Sequence, residues 1–253
     1  MKLNRVTLVA VSSIKILETI QALERSRQGL DFAEVLLISH ERPTDLPANI
    51  NFKACRRLNS IDAYNWFMIF ELAKYIKTEF ALVIQHDGYV LRPERWNDDF
   101  LNYDYIGAPW PKNVFYDNDG CEVRVGNGGF SLRSKKLLNI FNQLDLPFDD
   151  DQTSFPSEDA VICVYHRQAL EAHGIKFAPL ELASSFSKEY ECSDSCQETF
   201  GFHFHPVATT PTSSNHNFSA VAKTWLKKII SKRVINKIKG LFLENIRRGL
   251  DNK

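Results

Sequence analysis

Four stretches of this chain have residue types and spacings that could do chemistry. Gln85-His86-Asp87-Gly88 follows Phe80-Ala81-Leu82-Val83-Ile84, an apolar run short and branched enough to be a buried strand. A carboxylate at the carboxyl end of such a strand, with glycine next to it, stands where open α/β sheets take their ligands. Gly88 lets the backbone turn sharply and approach a bound group. Asp87 is a hard oxygen ligand of the kind that holds Mg²⁺ or Mn²⁺ against phosphates. In Gly126-Asn127-Gly128-Gly129-Phe130-Ser131-Leu132-Arg133, three glycines in four residues demand either unusual dihedrals or a ligand pressed against the backbone. Ser157-Glu158-Asp159 leads into an expected helix from Ala160 to His173, so its carboxylates fall where the helix dipole favours them. Phe200-Gly201-Phe202-His203-Phe204-His205 supplies two imidazoles. Either His203 or His205 could join Asp87 on a divalent metal that leaves positions open for a diphosphate.

Each stretch also has a plainer use. Asp87 could cap Pro93-Glu94-Arg95-Trp96 or close a turn. Glu158 and Asp159 could be first-turn helix charges. His203 and His205 alternate with Phe202 and Phe204, as in a half-exposed strand.

The elements that must position these groups come in alternation. Arg5 to Ser12 reads as a buried strand, and Ser12 or Ser13 is placed to cap a helix with Ile14, Leu17, Ile20 and Leu23 on one face. Gly29 ends that helix, and Ala33 to Ser39 is a second strand. Asn51 to Cys55 is a short third, and a helix opens at Asn59-Ser60-Ile61-Asp62 and runs on toward Tyr75. This β-α-β-α-β order predicts a mostly parallel, helix-covered sheet, Rossmann-like in its first half. There is no G-x-G-x-x-G and no G-x-x-x-x-G-K, so phosphates must be held another way, and a metal at Asp87 is one. Beyond the glycine run, Ser134 caps a helix carrying Leu137, Leu138 and Phe141. An acidic loop, Asp149-Asp150-Asp151, follows, and Phe177 to Ser187 with Thr199 to His205 complete the body.

Composition sets the class. An apolar content of 44% and a charged content of 25% over 253 residues are those of a globular protein with a substantial core. No apolar run is long enough to cross a bilayer, and Met1-Lys2-Leu3-Asn4-Arg5 leads straight into a strand, so no signal peptide is expected. Five scattered cysteines, an odd number, fit reduced thiols; Cys192 and Cys196 lack a second pair to complete a metal site. The zero net charge divides: residues 217–253 hold ten basic and two acidic residues, leaving the rest acidic. Thr209 to His216 reads as a linker. In the tail, Trp225, Ile229, Val234, Leu241 and Phe242 recur at helical spacing among lysines, as in an amphipathic helix on an anionic membrane surface or a terminal helix docked on the body with a solvated basic face. The domains expected are therefore 1–208, a linker at 209–216, and a basic amphipathic helix at 217–253. Nucleic acid is not an expected partner, because the body is acidic.

Taken together, Leu82-Val83-Ile84-Gln85-His86-Asp87-Gly88-Tyr89-Val90-Leu91, Tyr103 to Trp110 and Val125 to Arg133 resemble a family of bacterial glycosyltransferases found in polysaccharide clusters. Ser157-Glu158-Asp159, Ala183 to Glu189 and Phe200-Gly201-Phe202-His203 extend the likeness, which runs from about Val6 to His205. More distantly the arrangement is similar to GT-A enzymes of the fringe and β-1,3-galactosyltransferase type. There an Asp-x-Asp motif ends a central strand, Glu-Asp opens a helix, and a late histidine completes the metal site.

The resemblance implies a GT-A-like mixed sheet flanked by helices, a nucleotide-sugar donor linked to UDP, and a hydroxyl acceptor on a surface glycan such as lipopolysaccharide or capsule. Asp87 takes the place of the metal-binding aspartate, with Gln85 where the first carboxylate would be, which weakens the metal site and leaves metal independence open. Asp159 is nominated as catalytic base, with Glu158 next, since inverting transfer needs a carboxylate to accept the acceptor's proton. Ser12, Tyr64, Asn65 and Gly88 would lie at the nucleotide. Asn127, Gly128, Gly129 and the ring of Phe130 would lie against a sugar, and Trp110 could stack on a sugar face. The tail would keep a cytoplasmic enzyme at the inner membrane face, near lipid-linked acceptors. The rivals are a carbohydrate- or nucleotide-binding module without chemistry, a retaining transferase, and a membrane-associated scaffold.

Overall fold

The computed structural model describes residues 1–117, 119–148, 157–189 and 199–203. The chain begins with β1 (Lys2–Val11), α1 (Ile16–Ser26), β2 (Asp31–Ser39), β3 (Asn51–Ala54), α2 (Ile61–Phe70) and β4 (Phe80–Ile84). β5 (Gly88–Val90), β6 (Tyr105–Ile106), β7 (Phe130–Ser134), α3 (Lys135–Leu144) and α4 (Glu158–Ala160) follow. α5 (Arg167–Ala172), α6 (Leu180–Phe186), β8 (Ser187–Lys188) and β9 (Gly201–His203) end the described body.

One six-stranded sheet runs in the order β3-β2-β1-β4-β7-β6. Its first four strands are parallel, with Ala10 opposite Ile84 and Val9 opposite Leu36. All five residues of β4 are buried, the pattern of a strand covered on both faces. β7 then enters antiparallel, pairing Ile84 with Phe130 and Phe80 with Ser134. Because β7 runs backward, its first residue lies at the carboxyl end of β4. The glycine run that precedes it is thereby delivered to the same edge as the Gln85–Gly88 turn.

A second, three-stranded sheet, β5-β9-β8, hangs from that turn. It pairs Gly88 with His203, and β8 runs parallel to β9 with Lys188 opposite Phe202. An aromatic cluster binds the small sheet to the large one: Phe130, Phe186 and Phe200 are fully buried, with ring centroids 5.3–5.9 Å apart.

Three expectations change. Neither Ser12 nor Ser13 caps α1. Lys15 takes that position in the left-handed region (φ 48) without a side-chain cap. Ser12 Oγ instead donates to the carbonyl of Ile14, and Ser13 Oγ accepts from the amide of Leu58 at 2.9 Å. Ile20 and Leu23 are buried as expected, but Ile14 and Leu17 are exposed, since the helix starts later and turns them outward. The expected helix from Ala160 to His173 is broken by a π-helical turn, Val161–Tyr165. Its residues Val161, Ile162, Cys163 and Val164 are all buried, and three of them are β-branched, poor partners for a regular amphipathic turn. Ser134 does cap α3, accepting from the Leu137 amide at 3.0 Å.

Among the described residues, no helix is long and apolar enough to cross a membrane. Cys55, Cys121 and Cys163 are free thiols. Cys192, Cys196, the acidic loop at 149–151, the linker and the basic tail lie outside the described residues.

Candidate active site

β4 ends in a tight turn in which the Gly88 amide donates to the Gln85 carbonyl at 3.1 Å. The turn is pinned from both sides. Gln85 N donates to Gly129 O at 3.0 Å, and Gln85 Nε2 donates to the Tyr64 hydroxyl at 3.0 Å. Burial pushes the Tyr64 hydroxyl well above its ordinary pKa, so it remains a neutral partner.

Asp87 projects from this turn toward His203. Its Oδ1 lies 3.4 Å from His203 Nε2 and 3.6 Å from His86 Nδ1. On its other side, His203 Nδ1 lies 3.4 Å from Glu189 Oε1. Burial alone would lower the His203 pKa, but Asp87 and Glu189 outweigh it and lift the value to about 9. Burial would likewise raise the Asp87 carboxyl, yet His203 beside it holds it below its ordinary range. Glu189 had no role in the sequence reading. The parallel pairing of β8 with β9, which sets it beside His203, is invisible in strands of two and three residues.

The glycines are slots for these side chains. A Cβ at Gly129 would overlap the His203 ring, one at Gly128 would overlap the Glu158 carboxylate, and one at Gly126 would overlap the Trp110 ring. A Cβ at Gly88 would come within 2.8 Å of Gly129 O. Between them, Asn127 is buried at φ +68; its Oδ1 accepts from the Gly129 amide at 2.9 Å, and its carbonyl accepts from the Tyr105 hydroxyl at 3.0 Å.

Glu158 and Asp159, adjacent in sequence, have separate fates. Glu158 is buried, and its Oε1 accepts from Arg133 Nη2 at 3.0 Å. Burial raises the Glu158 carboxyl even though Arg133 opposes it. Arg133 is wholly buried and also donates to Ser131 Oγ at 3.0 Å and to the Gly128 carbonyl at 3.3 Å. Asp159 is half-buried, with Oδ2 accepting from the Gly128 amide at 3.0 Å and Oδ1 from the Ala160 amide at 2.8 Å. In the sequence Arg133 was only the last residue of the glycine-rich run, and nothing in its spacing signals a buried cation.

A family-level profile described as "Protein of unknown function (DUF5672)" matches residues 48–203. The chain belongs to this family. A comparison with curated proteins finds no match. Among solved structures, the chain is similar to galactosyltransferase LgtC in complex with donor and acceptor sugar analogs. The identity there is 11%, the match covers 87% of this chain and 94% of that one, and the TM-score is 0.49. It is also similar to a glycosyltransferase involved in glycosylation of the major capsid of PBCV-1 (14% identity, 82% and 94% covered, TM-score 0.42). A third is the mannosyltransferase PcManGT from Pyrobaculum calidifontis in complex with GDP-Man and Mn²⁺ (10% identity, 68% and 53% covered, TM-score 0.41).

In this DUF5672 member the segment matched by the family contains Gln85, Asp87, the glycine run, Glu158, Asp159 and His203, while Ser12 precedes it. Two expected sugar contacts are corrected. Trp110 is only 4% exposed and stacks on Phe115 with centroids 4.1 Å apart, so its faces belong to the core. Phe130 is 0% exposed and buried against Phe186 and Phe200, because it is the first residue of a central strand. Glu158 is corrected too: its carboxylate is committed to Arg133, which leaves Asp159 as the accessible one of the pair. Asn65 is buried on α2 beside Tyr64, and Ser12 is buried in its own turn at the end of β1. His205 lies outside the described residues.

Asp87 Oδ1 and His203 Nε2 are both buried atoms without a hydrogen bond of good geometry, and they face each other. The two would suit a divalent cation that displaces the His203 proton and takes its remaining ligands from phosphate oxygens and water. Among the described residues, no three His, Cys, Asp or Glu side chains converge on one point. Among the described residues, Asp87 and His203 are the protein groups that would hold such a cation.

Proposed function

We propose that this protein is an inverting glycosyltransferase of the GT-A kind. It takes a sugar from a UDP-linked donor and passes it to a hydroxyl of a surface-glycan acceptor. Asp87, the glycine run and Asp159 open on one edge of the sheet, and this supports the reading most. The Gly128–Gly129 step touches both ends: its first amide reaches Asp159, and its last carbonyl is bonded to Gln85, two residues before Asp87.

In this reading the donor lies along the turn at Asp87, with Tyr64 and Asn65 of α2 and Gln85 toward its nucleotide. Asp159 accepts the proton of the acceptor hydroxyl as that oxygen attacks the anomeric carbon, and the bond from that carbon to the diphosphate breaks on the opposite face. The Gly128 amide holds the Asp159 carboxylate in place before the reaction, so little reorganisation is needed when the proton moves. A divalent cation on Asp87 and His203 would offset the charge of the leaving diphosphate. The tail at 217–253 would bind an anionic membrane surface on the cytoplasmic side, where lipid-linked acceptors are found.

A second reading, a nucleotide-binding module without turnover, is favoured by one observation. The Gln85 side chain, which the resemblance sets where a metal-binding carboxylate would be, is a neutral amide tied to Tyr64. Purified protein incubated with a panel of nucleotide sugars and Mn²⁺, with an EDTA control, separates the two. Slow release of the nucleoside diphosphate from one donor supports the transferase; binding with no release from any donor overturns it. The anomeric configuration of the product, read by NMR, distinguishes inversion from retention.

A further inference from the structure

Lys15 Nζ lies 3.0 Å from His86 Nε2, although the two residues are 71 positions apart. Neither has a role in the transfer described above. An ammonium carries three N–H donors and no acceptor, so His86 Nε2 accepts one of them. The other His86 ring nitrogen, Nδ1, faces Asp87 Oδ1 at 3.6 Å.

The place of this contact in the fold is what gives it meaning. β1 has β2 on one side and β4 on the other, and both neighbours are parallel to it. The chain leaves β1 toward β2 and returns to β4 on the opposite flank, so the crevice between the ends of β1 and β4 is a topological switch point, where open α/β sheets bind their ligands. Lys15 sits on the loop after β1, His86 on the loop after β4, and their side chains meet across that crevice. Lys15 is held at φ 48, ψ 43, a conformation that costs a residue with a Cβ.

A diphosphate in this crevice needs positive charge. Asp87 and Glu189 share the one His203 imidazole between them, so that cluster has none to spare. Gln85 is neutral and bonded to Tyr64. A diphosphate lying on the Asp87 turn therefore meets one carboxylate-held cation at most, and Lys15 is the fixed positive charge beside it.

We propose that Lys15, steadied by His86, is a diphosphate-binding residue whose ammonium grips phosphate oxygens in this crevice. The assignment rests on the transferase reading only in naming the diphosphate as that of a nucleotide-sugar donor. Lys15 supplies by side chain part of the charge that a second carboxylate and its metal would otherwise bring.

The test is calorimetric titration of the full chain with inorganic diphosphate, UDP and GDP, in Mn²⁺ and in EDTA. Four proteins are compared: the natural chain, Lys15→Met, Lys15→Arg, and Lys53→Met as a charge control on the exposed β3 strand. Losing a charge-assisted phosphate contact should weaken binding of diphosphate and of the preferred nucleotide by roughly tenfold or more. Lys15→Arg should recover most of that loss, and Lys53→Met should show none. If a nucleoside diphosphate binds equally well to the natural chain and Lys15→Met, the assignment is overturned while the transferase reading stands. If inorganic diphosphate binds in a Lys15-dependent way but no nucleotide does, the assignment stands and the transferase reading falls. Absence of any anion binding to the natural chain overturns both.

Discussion

The amide of Gly128 donates to Asp159 Oδ2 at 3.0 Å. On the other face of the same residue, the carbonyl accepts from Arg133, which also holds Glu158. One glycine is thus held at its amide by Asp159 and at its carbonyl by the cation that pairs with Glu158.

Asp159→Asn should keep the fold, because an amide oxygen can still accept from Gly128, while removing the proton acceptor. Product formation is expected to fall by about 10²–10⁴-fold, the usual worth of a positioned base. Donor binding, measured by calorimetry, should be little changed. Equal turnover by the natural and substituted chains would remove Asp159 from the chemistry.

Glu158→Gln should act on stability instead. It leaves the wholly buried Arg133 guanidinium without its counter-charge, and breaking such a pair costs about 3–5 kcal/mol. Urea unfolding is the measurement, and a loss under about 1 kcal/mol would mean that water reaches the pair after all. Replacing Glu158 and Arg133 together by apolar residues should cost less than either single change.

His203 gives the molecule a pH signature. Its folded pKa, about 9, lies above the ordinary 6.5, so the imidazolium's contribution is complete below about pH 6.5 and fades as the pH rises through 9. The full shift corresponds to something on the order of 3 kcal/mol. Thermal unfolding between pH 6 and pH 10 in EDTA should show this decline in the natural chain and lose it in His203→Gln. Asp87, held below its ordinary range by the same contact, adds stability that disappears at the acid end, as the pH falls through its folded pKa.

Trp110→Ala should behave as a core truncation. The ring packs on Phe115 and fills the space that Gly126 leaves open, so about 3–5 kcal/mol of stability should be lost. Acceptor affinity in the milder Trp110→Phe variant should stay near that of the natural chain. A selective loss of acceptor affinity there would restore the sugar-stacking role.

The failures of the sequence reading share a physical form. Trp110 and Phe130 have the chemistry of sugar platforms, but an aromatic ring next to glycine serves equally to fill the gap the glycine leaves. Only burial, 4% and 0% exposed, distinguishes the two uses. The seryl caps expected for α1 yield to Lys15 because the loop after β1 extends three residues further before turning.

By itself the sequence determined the alternation of strands and helices, the buried character of β4, the Ser134 cap, and the presence of carboxylates and glycines at chain breaks. These are local properties, set by periodicity and by the backbone freedom of single residues. The tertiary structure decided which of those breaks share an edge. The reversal of β7 carries the glycine run to the end of β4, and the pairing of β5, β9 and β8 brings His203 and Glu189 to Asp87. It also sent Glu158 inward to Arg133 and left Asp159 accessible, because successive residues at a helix start point in different directions and only one of them faced a buried cation.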